Sequence, residues 1–375
     1  MTSSKGMRKA IVAVVGSVAL AVAGTMTAGA WTSGATTGID IANHQHPGGA
    51  PINWGEVKSD GQSFAFVKAT EGSDWTNPHF ITDSNAAAAS GLKVGAYHYA
   101  RPASSATRQA AHFAAQLALV PNQTLPPVLD IEVDEGLSSA QLEQWIRDFT
   151  TELRTLTGRT PMIYTYKYFW MGQMGNTTEF SDMPLWLAAY QDEAPDPVGG
   201  WNKISFWQRS GSGRVNGITG PVDMNVFNGS EGQLDSFSNG NYLDIGGILE
   251  GLVLGDDAPD LSSNSAPLIG AILALAAGII ASPQLIDAAQ QAGLDGKSAS
   301  VFTDFVKQLT QNGNLPIEDL VGMASGDFTV GDLAILLDNA GHVATANGAN
   351  PNQVEQAQDA VNPVSYTHLT LPTKA

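Results

Sequence analysis

The chain has 375 residues, of which 43% are hydrophobic, no cysteine, and a formal net charge of −18. This length predicts two domains, and with no disulfide bonds available each must depend on its own packed core. The acidic balance excludes the basic surface that nucleic-acid binding requires, so we expect no nucleic-acid partner.

The N-terminus has the pattern of a secretory signal. Basic residues precede an apolar run, Ala10–Ala23, and an A-x-A pattern that ends at Ala30 follows it. The run is shorter than the roughly 20 residues that a membrane span needs. We therefore predict that residues 1–30 are a signal peptide and that the protein is secreted or associated with the cell wall. No stable membrane span is expected after cleavage.

Residues 31–237 alternate short apolar runs, typical of strands, with amphipathic runs, typical of helices. The strand candidates lie in TGIDIA, SFAFVKAT, KVGAYHYA, PPVLDIEVD, TPMIYTY, MPLWLAAY, KISFWQR and VDMNVF. The longest helix candidate begins near Ser138 or Ser139 and ends before Gly158. Eight strands with interspersed helices predict an α/β fold, a modified TIM-like (β/α) barrel. The short later connections predict that its ring of helices is incomplete.

The composition changes after residue 237. We interpret residues 238–266 as a linker and residues 267–362 as a small, mainly helical C-terminal region whose function the sequence does not indicate. The uncharged run Pro267–Ala281 is too short for a membrane span, so it predicts a buried helix. The segment PVSYTHLTLPT back-translates to a sequence that resembles a sequencing-library adapter. Residues 363–375 are therefore predicted to be non-native, with the natural chain continuing past Asn362.

Four acidic residues in the first domain are candidates for chemistry. Asp130 and Glu132 stand two apart in PPVLDIEVDE, so an extended strand places both on one face. Asp40 and Asp223 lie near the ends of other strand candidates. In a barrel of parallel strands the C-terminal strand ends converge on one mouth. Crowding carboxylates there raises the pKa of one of them, which is how a carboxyl group becomes a general acid.

Aromatic residues accompany these carboxylates: Tyr97, Tyr164, Trp186 and Trp207. Aromatic rings stack on the apolar face of a pyranose, so the combination predicts a glycosidase. Two mechanisms stay open. The paired carboxyl groups could reach the roughly 5–5.5 Å separation of a retaining enzyme with its own nucleophile. Alternatively, the acetamido group of the substrate could attack while the aspartate supports it.

Simpler interpretations exist for each of these features. A single acidic residue at a strand end is usually solvated or paired with a basic side chain. The D-x-E pattern could also be a pair of ligands for a divalent metal. The spacing of HQH, His44–His46, occurs in metal sites, but no third ligand is evident. We expect neither a metal nor a cofactor.

Several segments, in this order over about Gly38–Leu234, are similar to lysozymes of glycoside hydrolase family 25, the Chalaropsis-type muramidases. They are GIDIANHQ, INWGEVKSDGQSFAFVKATEGSDWTNPHF, GLKVGAYHYARP, LPPVLDIEVDE, WIRDFTTELRTLTGRTPMIYT, PLWLAAY, FWQ and DMNVFNGS. The resemblance implies a barrel with fewer than eight helices. It also implies metal-free hydrolysis of the β-1,4 bond between N-acetylmuramic acid and N-acetylglucosamine in bacterial peptidoglycan.

The resemblance also implies a role for individual residues. Glu132 matches the general acid and Asp130 its supporting partner, while Asp40 and Asp223 match the remaining acids of the cleft. The positions expected to shape the sugar subsites are Tyr97, Tyr164, Trp186 and Gln208. The chain departs from the family pattern after Asp40, where ANHQHPGGAPINW is longer than expected, and at Tyr99, where phenylalanine is common.

Two other functions are compatible with parts of this pattern. One is a catalytically silent glycan-binding protein, against which the retention of all four acids argues. The other is a chitinase-like glycosidase on a related barrel, which DIE alone would fit but GIDIANHQ and FWQ do not favour. The sequence leaves open the oligomeric state, the bacterial walls that are cut and the biological setting.

Overall fold

The computed structural model describes residues 35–243, 245–246, 249, 252 and 261–346. The predicted signal peptide and the predicted non-native tail lie outside the described residues, as do residues 244, 247–248, 250–251 and 253–260 of the predicted linker. The predicted fold class is confirmed: a closed barrel with an incomplete ring of helices is followed by a helical C-terminal region.

All eight predicted strands form, and a two-residue strand is added to them. Their bounds are β1 (Thr36–Ile41), β2 (Phe64–Glu71), β3 (Trp75–Thr76), β4 (Lys93–Tyr99), β5 (Val128–Asp130), β6 (Met162–Tyr166), β7 (Leu185–Ala188), β8 (Phe206–Gly213) and β9 (Val222–Phe227). The order of the sheet is β1-β9-β8-β7-β6-β5-β4-β2-β3, and a further pairing of β1 with β2 closes the barrel. Short β3 pairs only with β2, at the rim.

One strand of the barrel runs in the opposite direction to the others. β9 is antiparallel to both of its neighbours, β1 and β8, whereas the remaining pairings within the barrel are parallel. The start of β9 therefore lies at the same end of the barrel as the C-terminal ends of the parallel strands. Asp223, the second residue of β9, reaches the mouth in this way and is the register partner of Asp40.

The helices around the barrel are α1 (Trp54–Ser59), α2 (Phe80–Ala89), α3 (Ala106–Leu117), α4 (Ser139–Thr157) and α5 (Glu231–Ser238). Residues 167–205, all of them described, contain a π-helical segment, Phe169–Gln173, and no α-helix. The ring is therefore open beside β6, β7 and β8, as the short connections predicted.

The longest of these helices, α4, has the end residues and the buried apolar face that its sequence predicts. The backbone N–H of Ser138 donates to the side chain of Gln141 at 2.9 Å, which caps the start of α4. Gly158 ends the helix with a φ of 67°, a left-handed conformation that glycine adopts at little cost. Between these ends, the residues at helical spacing that face the barrel are buried: Leu142, Trp145, Ile146, Phe149 and Leu153.

The C-terminal region consists of α6 (Ala266–Ala276), α7 (Ser282–Gln291), α8 (Gly296–Gln311), α9 (Ile317–Ala324) and α10 (Val330–Ala346). Helix α6 lies within the apolar run that predicted a buried helix, and it buries Leu268, Ile269 and Ile272. Across the described residues, no helix combines the length and the apolar character needed to cross a membrane.

Candidate active site

The four predicted acids come together at one mouth of the barrel. Asp40 lies near the end of β1, opposite Asp223 on β9, and the two carboxyl groups are close enough to influence each other's pKa. Asp130 is the last residue of β5, and Glu132 follows just beyond the strand end. Asp40 and Asp130 are each 4% exposed and Glu132 is 9% exposed. The acids are thus removed from bulk water, which changes their proton affinity.

Burial is the main influence on the pKa of every one of these carboxyl groups. It raises the pKa of Glu132 to about 7 and that of Asp40 to about 6. Burial and the adjacent Glu132 raise the pKa of Asp130 well above its usual range, and burial and the adjacent Asp40 do the same for Asp223. With a pKa of about 7, Glu132 can carry a proton near neutral pH, as an acid catalyst must.

Side-chain amides fix the position of Asp40. Its Oδ2 atom accepts from Nε2 of Gln208 at 3.0 Å and from Nδ2 of Asn225 at 2.7 Å. Oε1 of Gln208 accepts from the Tyr164 hydroxyl at 2.8 Å, and Oδ1 of Asn225 accepts from Nε1 of Trp186 at 2.8 Å. Both series of hydrogen bonds end on Oδ2 of Asp40, so they stabilise the ionised form of this carboxyl group.

Asn225 was not predicted from the sequence. It lies two residues after Asp223 on β9, so the strand alternation that selected Asp130 and Glu132 also places Asn225 on the face of Asp223. The pattern D-x-N in VDMNVF was thus an available signal.

Three of the predicted aromatic residues form one cluster beside the acids. Trp186 contacts Tyr164 and Tyr97 edge to face, with ring centroids 4.6 Å and 6.4 Å apart, and stacks on Phe66 at 4.5 Å. Tyr164 and Trp186 are buried, whereas Tyr97 is half-buried. Tyr97 is therefore the member of the cluster with a partly accessible ring.

Trp207 does not join this cluster. It alternates with Gln208 along β8 and thus projects from the opposite face of the strand, where it is fully buried. Its Nε1 atom donates to the carbonyl oxygen of Ala189 at 2.8 Å. The structure assigns it to packing outside the barrel rather than to the mouth.

The two histidines of HQH also separate. His46 contacts the Ala50 carbonyl and the Asp83 carboxyl group through its two ring nitrogens, each at 2.8 Å, and stacks on His79. His44 instead follows the end of β1, where its ring centroid lies 6.1 Å from that of His342. In the described part of the chain, no three histidine, cysteine, aspartate or glutamate side chains are grouped so that they could hold a metal ion.

The barrel region of the chain is similar to known proteins. Residues 39–218 match the family described as "Glycosyl hydrolases family 25". Lysozyme M1 of Streptomyces globisporus is 40% identical over 218 residues, which cover 56% of this chain and 72% of that protein. The N,O-diacetylmuramidase of Chalaropsis sp is 35% identical over 204 residues, which cover 50% of this chain and 95% of that protein.

The chain belongs to glycosyl hydrolase family 25. A crystal structure of the bacterial lysozyme from Streptomyces coelicolor agrees in fold, with a TM-score of 0.51 and 37% identity, over 56% of this chain and 100% of that one. The chain is thus a glycoside hydrolase of the lysozyme, or muramidase, type, and the predicted family is confirmed.

A further contact to the acids comes from outside the part of this lysozyme that matches the family. Nδ2 of Asn339, on α10, donates to Oε2 of Glu132 at 3.2 Å. Oδ1 of the same residue accepts from the Tyr99 hydroxyl at 3.1 Å. No sequence signal pointed to Asn339, because the contact joins residues 207 positions apart in two different regions.

Proposed function

We propose that this lysozyme cleaves the β-1,4 bond between N-acetylmuramic acid and N-acetylglucosamine in peptidoglycan, with Glu132 as general acid and Asp130 as its partner. The main observation in support is the buried pair of carboxyl groups at the barrel mouth, in which the pKa of Glu132 is raised to about 7. The names of the relatives, lysozyme and N,O-diacetylmuramidase, support a wall glycan as substrate.

In the proposed reaction, Glu132 gives its proton to the oxygen that leaves with N-acetylglucosamine. The acetamido carbonyl oxygen of N-acetylmuramic acid attacks its own anomeric carbon as that bond breaks. Oδ1 of Asp130 is buried without a hydrogen-bond partner among the described residues, so it is available to accept from the acetamido N–H and to stabilise the charge that forms there. Water then opens the cyclic intermediate and returns the proton to Glu132.

Asp40 and Asp223 are proposed to act one step away from the reacting atoms. The ionised form of Asp40 is stabilised by Gln208 and Asn225, and its charge adds to the field that raises the pKa of Asp130. Tyr97, with its partly accessible ring, is proposed as a surface on which a sugar stacks. The protein is further proposed to act outside the cell, after export directed by residues 1–30.

Replacement of Glu132 tests the acid assignment. Glu132→Gln keeps the size of the side chain and removes its transferable proton, so we expect wall clearing to fall by about 10²–10⁴-fold. Glu56→Gln, a change of the same kind at an exposed position of α1, should clear walls like the native protein. The proteins would be recovered from the culture medium of a bacterial host. A mature chain that begins at Trp31 would support export directed by residues 1–30. Near-native clearing by a folded Glu132→Gln would contradict the assignment.

A further inference from the structure

Helix α10 lies directly over the proposed catalytic acid. Asn339, 4% exposed, is enclosed between Glu132 and Tyr99 and hydrogen-bonds to both. The distance of 3.2 Å between its Nδ2 atom and Oε2 of Glu132 is the distance at which a general acid must face the atom it protonates. A protein amide therefore lies within hydrogen-bonding distance of the carboxyl group that a glycosidic oxygen must also approach.

The contact extends along one face of α10. Gly331, Asp338, Asn339 and His342 follow the spacing of a single helix face. At one end of this face, α10 lies against the backbone of Tyr190. Gly331 permits this close approach, because a Cβ atom at its position would overlap the carbonyl oxygen of Tyr190. At the other end, the His342 ring lies 6.0 Å from that of Tyr99 and 6.1 Å from that of His44, between ring centroids.

The negative charge of Asp338 acts against the position of α10 over the acids. Asp338 lies close enough to Glu132 and Asp223 to raise the pKa of both. A further carboxylate beside an acidic site disfavours docking. His342, whose Nε2 atom lies 3.5 Å from Oδ2 of Asp338, offsets part of this cost when its ring is protonated. The side chains from Leu333 to Leu337 are all buried, as expected of a helix enclosed on all sides.

A second contact fixes the helical region to the barrel beside the mouth. The carboxylate Oδ1 of Asp319 on α9 accepts from Nε2 of Gln173 at 2.6 Å, and its backbone carbonyl accepts from the Tyr168 hydroxyl at 2.9 Å. Nζ of Lys167 donates to the carbonyl oxygen of Asp327 at 3.1 Å. These contacts use the side of the barrel where the helical ring is open, so the C-terminal helices cover a gap in the fold.

We infer that α10 is an autoinhibitory element, which occupies the catalytic mouth and must move away before a wall glycan can bind. This inference rests on the proposed function. The carboxamide of Asn339 holds one carboxyl oxygen of Glu132 in a hydrogen bond, and the helix that carries it lies where a glycan must approach the acid. The Streptomyces coelicolor lysozyme structure aligns over its whole length with 56% of this chain, so the family fold does not require the helical region.

Gly331→Leu tests the inference in the full chain. The new side chain overlaps the backbone at Tyr190, so α10 should be displaced, and we expect walls to clear at least about tenfold faster than with the native protein. Gly270→Leu is the matched control, because Gly270 is an exposed helical residue on α6 with nothing near its Cβ position. That variant should clear walls at the native rate.

Hydrogen–deuterium exchange of amides 333–343 confirms whether α10 has been loosened. Faster exchange and faster clearing by Gly331→Leu would support the inference. Faster exchange with equal or slower clearing would overturn the inference. In the case of slower clearing, the result would also indicate that Asn339 assists catalysis. If Gly331→Leu fails to fold, Asn339→Ala takes its place, with about fivefold faster clearing expected from the loss of hydrogen bonds.

Failure of the proposed muramidase activity gives a different result from failure of the inference about α10. If native protein, Gly331→Leu and Gly270→Leu all fail to clear walls, the muramidase proposal is contradicted. The inference about α10 is then decided by the binding of tetra-N-acetylchitotetraose, measured by calorimetry. At least about tenfold tighter binding to Gly331→Leu than to the native protein would support occlusion, and equal binding would overturn it.

Discussion

Glu132 shows how position in the fold changes the chemistry of an ordinary side chain. It follows the end of β5, faces Asp130, and is removed from water by the barrel on one side and α10 on the other. Burial therefore raises its pKa from 4.5 to about 7. The same carboxyl group at an exposed position would be ionised at neutral pH and could not protonate a leaving group.

This shift predicts a pH dependence of stability. Between about pH 4.5 and 7 the folded protein holds a proton on Glu132 that the unfolded chain releases, so the free energy of unfolding falls as the pH rises. Glu132→Gln removes this contribution, which is on the order of 3 kcal/mol. Asp130, Asp338 and His342, which face Glu132, are present in both proteins.

Thermal unfolding at pH 5 and pH 8 measures the effect. The native melting temperature should decrease more between these values than that of Glu132→Gln. An equal decrease in the two proteins would show that Glu132 titrates at the same pH whether the chain is folded or unfolded.

Residue patterns predicted the acids better than their surroundings. Asp40, Asp130, Glu132 and Asp223 were selected because carboxylates at apolar strand ends are unusual, and the structure brings them together. Trp207 was selected by the same reasoning about strand ends, yet it faces outward. An aromatic side chain can pack on either face of a buried strand, so the presence of tryptophan does not indicate which face it occupies.

At the scale of elements, two glycines create room inside the barrel. Cβ atoms at Gly38 and Gly95 would overlap the rings of Phe64 and Phe66, respectively. These phenylalanines fill the barrel interior on β2, and Phe66 supports Trp186 at 4.5 Å. The glycines thus allow the aromatic layer beneath the acids to pack.

Gly95→Ala should disturb this layer. The added methyl group overlaps Phe66 and lies 3.1 Å from Cβ of Leu125, so we expect the free energy of unfolding to fall by about 1–3 kcal/mol. Gly55→Ala on α1 is the matched control, because its nearest neighbour is 3.5 Å away and alanine favours helices. Urea denaturation compares the two. A Gly95→Ala variant as stable as native protein would show that the barrel interior is not closely packed there.

Strands were predictable as elements, but the direction of one was not. Alternating apolar residues in VDMNVF indicated a strand without indicating that it would run antiparallel to its neighbours. The tight connection from β8, which ends at Gly213, to β9, which begins at Val222, is the physical reason. A crossover to a parallel strand needs about a dozen residues or more, usually with a helix.

The C-terminal helices of the molecule carry no sequence motif that predicts a role for them. Their helical character followed from periodicity and was confirmed. Their contact with the acids was not predictable, because it depends on how two regions pack and not on any local pattern. The proposed catalytic acid on the family barrel is therefore contacted by a helix that lies outside the family match.

This barrel is proposed to cleave peptidoglycan at N-acetylmuramic acid. The most direct measurement is the identity of the new reducing ends in digested peptidoglycan, determined by borohydride reduction and mass spectrometry. Both native protein and Gly331→Leu would be used, so that a covered site cannot hide the activity. We predict that N-acetylmuramic acid is the reduced sugar at the new ends. Reduced N-acetylglucosamine at the new ends, or no new ends with either protein, would contradict the claim.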